Sequence, residues 1–177
     1  SASSLSATTL VVVGRAERLL DASTRALLPS GTAWDAMLAS VKPGDAGGSA
    51  SSWLTGDAPR QVVVCVLPEP CSRHNSAARP HAVAALAGPA MGGTDDVDVL
   101  LVLDDATHGL AAVCAVARAL PLYSRKGGDD GDRTVRVALH APEGPVDAAG
   151  LPRLQRIADA VRGSAALSDT PAAELHT

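Results

Sequence analysis

The sequence predicts an α/β fold, a layered sandwich in which helices flank a mostly parallel mixed sheet. Three observations carry this reading. Residues 97–103, VDVLLVL, form a near-continuous branched apolar run, the pattern of a strand buried on both faces. Two further runs, TTLVVV at 8–13 and QVVVCVL at 61–67, have the same character. Other segments carry apolar residues at helical spacing, so that strands alternate with helices. A length of 177 residues suits one such domain and is hardly enough for two.

Each element has its own local reason. After the first strand, 8–13, a weakly patterned stretch reads as a helix over 16–28, stopped by Pro29. Thr32, with Asp35 three residues on, caps a helix whose Trp34, Met37, Leu38 and Val41 share one face, and this stripe reads as core. Residues 42–52, KPGDAGGSASS, are polar and Gly-rich and read as a mobile loop, with a short strand over 52–55. The strand 61–67 ends at Pro68 and Pro70. A helix is expected from Pro80 to Leu86, stopped by Gly88-Pro89. Strand 97–103 feeds a helix capped by Thr107, with Leu110, Val113, Cys114, Ala117 and Leu120 inward and Pro121 closing it. Residues 134–139 alternate Val135, Val137 and Leu139 against Thr134, Arg136 and Ala138, a strand near the sheet's edge. Leu151, Leu154, Ile157, Ala158 and Val161 then mark an amphipathic helix with Arg153, Arg156, Asp159 and Arg162 outward.

Composition narrows the function. The hydrophobic fraction of 46% overstates the bulky core, because there are 34 alanines, no phenylalanine, and only Trp34, Trp53 and Tyr123 as aromatics. Valine, leucine and close contact through alanine must fill the interior. A formal charge of -4, with scattered arginines and no interleaved aromatics, gives no footprint for a phosphate backbone, so no nucleic-acid partner is expected. Cys65, Cys71 and Cys114 are odd in number and widely spaced, which predicts free thiols in a reducing compartment. The N-terminus lacks a basic n-region, and no window approaches a membrane span. The expectation is a cytoplasmic protein without a membrane partner, its Ser1 following an excised initiator Met.

Candidate chemistry is sparse. Gly47-Gly48 lacks the G-x-G-x-x-G spacing and the strand-to-helix context of a phosphate loop. Cys71, His74 and His81 supply at most three zinc ligands where a structural site wants four. As a nucleophilic pair, Cys71 and His74 lack an orienting third group, so the reading is a locally hydrogen-bonded loop. Asp95, Asp96 and Asp98, and the group Asp129, Asp130 and Asp132, resemble calcium ligands superficially and read as solvated loops. His108 and His140 are isolated and receive no role. No catalytic, cofactor-binding or metal-ligating residue is assigned within the chain.

Three segments together resemble the N-terminal domain of the leucyl aminopeptidase family of dinuclear metallopeptidases, nearest a eukaryotic branch of probable aminopeptidases. They are 71–76, CSRHNS; 114–123, CAVARALPLY; and 144–146, GPV, leading through the last helix to DTPAAELHT at 169–177. The last stretch is similar to the family's interdomain linker, except that Ala173 stands where asparagine is usual. The resemblance implies a macro-like α/β domain over 1–163. Residues 164–177 would then be the end of an interdomain helix and a linker to a catalytic domain absent from this chain. It implies removal of N-terminal amino acids from peptides by two divalent ions, zinc or manganese, bound in that catalytic domain with its catalytic residues. It also implies a homohexamer in which this domain contacts its own catalytic domain and sister subunits, serving assembly or substrate access. Two alternatives stay open. One is a noncatalytic scaffold relative of the family. The other is a macro-type ADP-ribose-binding module, for which Gly92-Gly93 and Gly127-Gly128 are the nearest to phosphate loops.

Overall fold

A computed structural model describes residues 5–28, 33–54, 60–71, 75–122, 133–146 and 148–171. The expected Thr32 cap, the Pro29 stop, His74, and Asp129, Asp130 and Asp132 lie outside the described residues, as do Gly127-Gly128. The elements run β1 (Thr9–Gly14), α1 (Ala16–Leu20), α2 (Ala22–Arg25), α3 (Ala33–Ser40), β2 (Gly48–Leu54) and β3 (Arg60–Val66). They continue with α4 (Pro80–Ala90), β4 (Val97–Val102), α5 (Gly109–Arg118), β5 (Val135–Ala141), β6 (Gly144–Pro145) and α6 (Leu151–Asp169). The sheet order is β2-β3-β1-β4-β5-β6. Strands β3, β1, β4 and β5 are mutually parallel, while β2 and the two-residue β6 are antiparallel at the edges. The expected α/β sandwich with a mostly parallel mixed sheet is what the chain forms.

The apolar runs explain the layering. Every residue of β4 is buried, and β1 is buried from Leu10 onward. A strand with no wet face needs cover on both sides, and the alternation of side chains divides that cover. Val11, Val13, Val63, Cys65, Val99 and Leu101 point to one face and meet α4 and α5 through Ala82, Val83, Ala87, Ala112 and Val116. Leu10, Val12, Val62, Val64, Leu100 and Val102 point to the other and meet Leu19, Trp34 and Met37. The Trp34 and Met37 stripe is therefore core, as its spacing predicts.

Several boundaries differ from the sequence reading. The helix expected over 16–28 is two short helices, because Asp21 takes an extended ψ of 140° between them. Residues 42–52 are not all loop: β2 begins at Gly48 and pairs with β3 in register from Gly48 opposite Val66 to Leu54 opposite Arg60. Pairing with an apolar neighbour overrides the low strand propensity of glycine and serine here. Helix α4 runs on through Pro89 to Ala90, since a proline in the last turn removes only one ladder bond. Asp105, not Thr107, caps the start of the next helix: its carboxylate accepts from the Thr107 amide at 2.7 Å, and the two bonds from Thr107 hold its pKa below the usual range. A 3-10 turn, Ala106–His108, then leads into α5. In α5 Leu110 is 43% exposed, while the expected Ala117 is buried together with Gly109, Ala112, Ala115 and Val116. As expected, β5 lies near an edge, its Val137 partly open.

Gly47 is the hinge of the entry to β2. Its φ is +83°, and a Cβ there would lie 2.7 Å from Leu86 Cδ1 and 2.8 Å from the Val66 carbonyl oxygen. Gly47→Ala is expected to cost about 1–3 kcal/mol in urea unfolding. Gly44→Ala, at φ +50° with no atom within 4 Å, should cost less, and equal midpoints for the two variants would contradict this account.

Candidate functional site

Open α/β sheets bind ligands beyond the carboxyl ends of the strands, where successive connections diverge to either side. Here that point is β1, flanked by β3 and β4. Arg15 follows β1, Glu69 follows β3 and Asp104 follows β4, and the three meet. Arg15 donates through Nε to Glu69 at 3.2 Å, pairs with the same carboxylate through its terminal nitrogen, and donates to Asp104 at 3.4 Å. The hydrogen bond to Glu69 is the chief reason the Arg15 guanidinium is held above its ordinary pKa. Arg18 lies 3.5 Å and Arg79 3.6 Å from Asp104.

Arg79 is the only described non-glycine residue at positive φ, +48°, and it is 6% exposed. Its guanidinium donates to the carbonyls of Ala77 at 2.6 Å and Glu69 at 2.9 Å, so the loop after β3 is drawn onto the sheet end. Among the described residues the space left at this crevice is about 20 Å³, room for about one water. Arginines and carboxylates that pair with one another border what space is left. Gly92-Gly93 sits at the other end of the sheet, before β4, where Arg133 donates to the Gly93 carbonyl and, at 2.8 Å, to that of Met91.

The residues singled out in the sequence do not converge. Cys71 is exposed, its thiol donating to the Asn75 and Ser76 carbonyls at 3.5 Å, and His81 is an exposed residue in the first turn of α4. Among the described residues no group of three or more His, Cys, Asp or Glu could hold a metal ion. Cys65 is buried, and burial pushes its thiol pKa up to about 12. That thiol is protonated and unreactive at neutral pH.

Asp98 corrects the reading of its neighbourhood as a solvated loop. It lies within β4, 0% exposed. The carboxylate accepts from the Ala7 amide at 2.7 Å, from Arg60 at 2.7 Å and from Arg136 Nε at 2.8 Å. Arg136 is its cross-strand neighbour on β5, and Arg60 reaches over from β3. Arg60 also donates to the Leu5 carbonyl at 3.1 Å, so the same cluster fastens the chain before β1. Burial pulls the Arg60 pKa below its ordinary value, opposed by Asp98. Part of the signal was present in the sequence: a lone acid inside a doubly buried run must be paired, and Arg60 opens the 61–67 run while Arg136 is the second residue of β5. His140, given no role from sequence, is likewise buried, with Nε2 3.2 Å from Ser23 Oγ. Arg162, expected outward, instead donates to the Leu120 carbonyl at 3.0 Å and ties α6 to the end of α5.

These arrangements fasten a three-layer domain at both ends of its sheet, and comparison with known proteins identifies its relatives. A profile described as M17 aminopeptidase N-terminal domain 2 matches residues 37–129. The mouse protein described as probable aminopeptidase NPEPL1 is 30% identical over 153 residues, covering 81% of this chain and 27% of its own length. The apo structure of leucyl aminopeptidase from Trypanosoma cruzi superposes with a TM-score of 0.80 at 25% identity, over 98% of this chain and 35% of that one. An M17 aminopeptidase from Trypanosoma brucei gives 0.76 at 27%, over 94% and 34%. This chain belongs to the M17 aminopeptidase family and corresponds to its N-terminal domain. It spans about a quarter of the curated relatives it matches and about a third of the solved ones.

Two outcomes follow from the buried polar groups. Asp98→Ala leaves two guanidiniums facing each other, and urea unfolding should show a loss of about 3 kcal/mol, Arg60 being the more enclosed of the two. A loss below about 1 kcal/mol would show that solvent reaches the cluster. For His140, burial lowers the folded pKa below 6.5, with Asp21 opposing. The unfolded chain therefore binds the extra proton first on acidification, and the stability present above the unfolded pKa is lost as pH falls through the folded one. His140→Gln should flatten the slope of unfolding free energy between about pH 7.5 and pH 5.5, a window that brackets the ordinary histidine pKa.

Proposed function

We propose that this chain is the noncatalytic N-terminal domain of a metal-dependent aminopeptidase that removes N-terminal residues from peptides. The observation that carries this reading is the match of residues 37–129 to an N-terminal domain of M17 aminopeptidases. Residues 1–163 form the domain proper. Residues 164–177 are the end of the interdomain helix, whose described part closes at Asp169, and the linker beyond it. Two divalent ions, zinc or manganese, are held by the catalytic domain, where they activate a water and polarise the scissile carbonyl.

The domain's own contribution is to assembly or to restricting substrate access. Its tightly fastened core and closed strand-end crevice suit a rigid spacer better than a binding module. The parent enzyme is a cytoplasmic homohexamer, with sister subunits as partners and peptides as substrates. No described helix is long and apolar enough to cross a membrane.

An aminopeptidase assay with manganese or zinc on this chain and on the longer gene product tests the reading. No turnover is expected from the 177-residue chain and metal-dependent turnover from the longer one. Turnover by the shorter chain alone, or an inactive longer product with both metals supplied, would overturn it.

A further inference from the structure

The strand-end crevice is closed, but a larger opening lies elsewhere, beneath the last helix. Helix α6 packs chiefly against α5 and stands off from β5. Among the described residues, the slot this leaves has a volume of about 710 Å³ and is lined by α5, β5 and α6. Its floor is Val135, Val137 and Leu139, and its walls include Val116 and Leu120 of α5 and Leu154 of α6. Val137 is 37% exposed, although Val99, its partner on β4, is fully buried. A strip of sheet that α4 and α5 cover elsewhere is thus open here. The volume is that of a small-molecule site.

The cationic groups of the lining gather at one end. A helix that joins two parallel strands finishes where the second strand begins, so Leu120 and Arg133 stand at the same end of the sheet. Arg162 donates through Nε to the Leu120 carbonyl at 3.0 Å, which brings it there too. Arg133 is held by the Met91 carbonyl at 2.8 Å and by that of Gly93. Both arginines line the slot on backbone carbonyls, and among the described residues neither has a carboxylate partner. Asp159, the one acid of the lining, is exposed and accepts from Gln155 Nε2 at 2.9 Å. The other end, formed by Leu139, Ala148, Leu151 and Pro152, carries no charge. Between Leu151 and Arg162 the helix rises about 16 Å.

We infer that this slot binds an aliphatic carboxylate of the fatty-acid class, its chain along Val135, Val137 and Leu139 and its head group at Arg133 and Arg162. Two features select that occupant. A pair of guanidiniums without acidic partners is complementary to an anion, and the planar fork of each matches a carboxylate. The long apolar floor favours a hydrocarbon chain, because the polar atoms of a sugar or a peptide would be left unsatisfied against the valines.

Titration calorimetry of the 177-residue chain with decanoate, octanoate, decanol and the dipeptide Leu-Leu tests the assignment. Decanoate should bind roughly tenfold tighter than octanoate, since two further methylenes leave water. It should also bind roughly tenfold tighter than decanol, which lacks the charge that the arginines meet. Arg162→Gln should abolish the preference for decanoate over decanol while leaving decanol binding unchanged, a difference that mere loosening of α6 would not produce. Arg133→Gln gives the same readout from the other side of the mouth. Val137→Trp fills the floor of the slot and should remove binding of both ten-carbon ligands, with urea unfolding run on each variant to establish that it folds. No binding of decanoate, equal affinity for decanoate and decanol, or decanoate binding undiminished in folded V137W overturns the inference. Binding of Leu-Leu with decanoate silent also overturns it, because the slot then takes a peptide.

Discussion

Strands β1 and β4 have almost no surface facing water, and most of the architecture follows from that. Each inward valine or leucine removed from water contributes roughly 1.5–3 kcal/mol, but only if a partner layer covers it. The two strands therefore require helices on both sides, and parallel neighbours joined by crossover helices provide them. With no phenylalanine and 34 alanines, those helices come close by presenting small residues, as at Ala82 and Ala87 of α4 and Ala112 and Ala115 of α5. Gly88 illustrates the fit: its Cβ would lie 3.5 Å from that of Ala119.

A sheet centre this apolar leaves its charges at the ends, and the two ends are closed differently. At the amino ends one carboxylate, Asp98, is fully enclosed and satisfied by two arginines and the Ala7 amide. The arrangement joins β3, β4, β5 and the leading segment through a single side chain. At the carboxyl ends several partly exposed charges around Asp104 and Glu69 draw three loops together. Exposed pairs of that kind contribute little stability singly, so the network chiefly fixes loop geometry. The network occupies the crevice beyond the strand ends where open α/β sheets commonly bind ligands.

The enclosure is uneven across the fold. The sheet centre and helices α4 and α5 are densely covered, whereas α6 has Ala165 as its one buried residue and Leu167 in the open. The last helix therefore departs from the packing logic of the rest.

The sequence by itself determined the layered α/β class, the three central strands, the core role of Trp34 and Met37, and the family, because long valine runs and ordered local motifs carry those facts without reference to distant residues. Tertiary structure alone decided what depended on partners far apart in the chain. Strand β2 exists because β3 is beside it, although 42–52 has a loop's composition. Asp98 is a buried anchor and not a solvated acid because Arg60 and Arg136, each 38 residues away, are brought to it by the strand order. The inward face of α5 includes Ala112, Ala115 and Val116 beside the expected Ala117, and Leu110 is exposed where its spacing predicts burial. Local pattern specifies which segments are apolar and how they repeat; only the packed sheet fixes which polar groups must find one another.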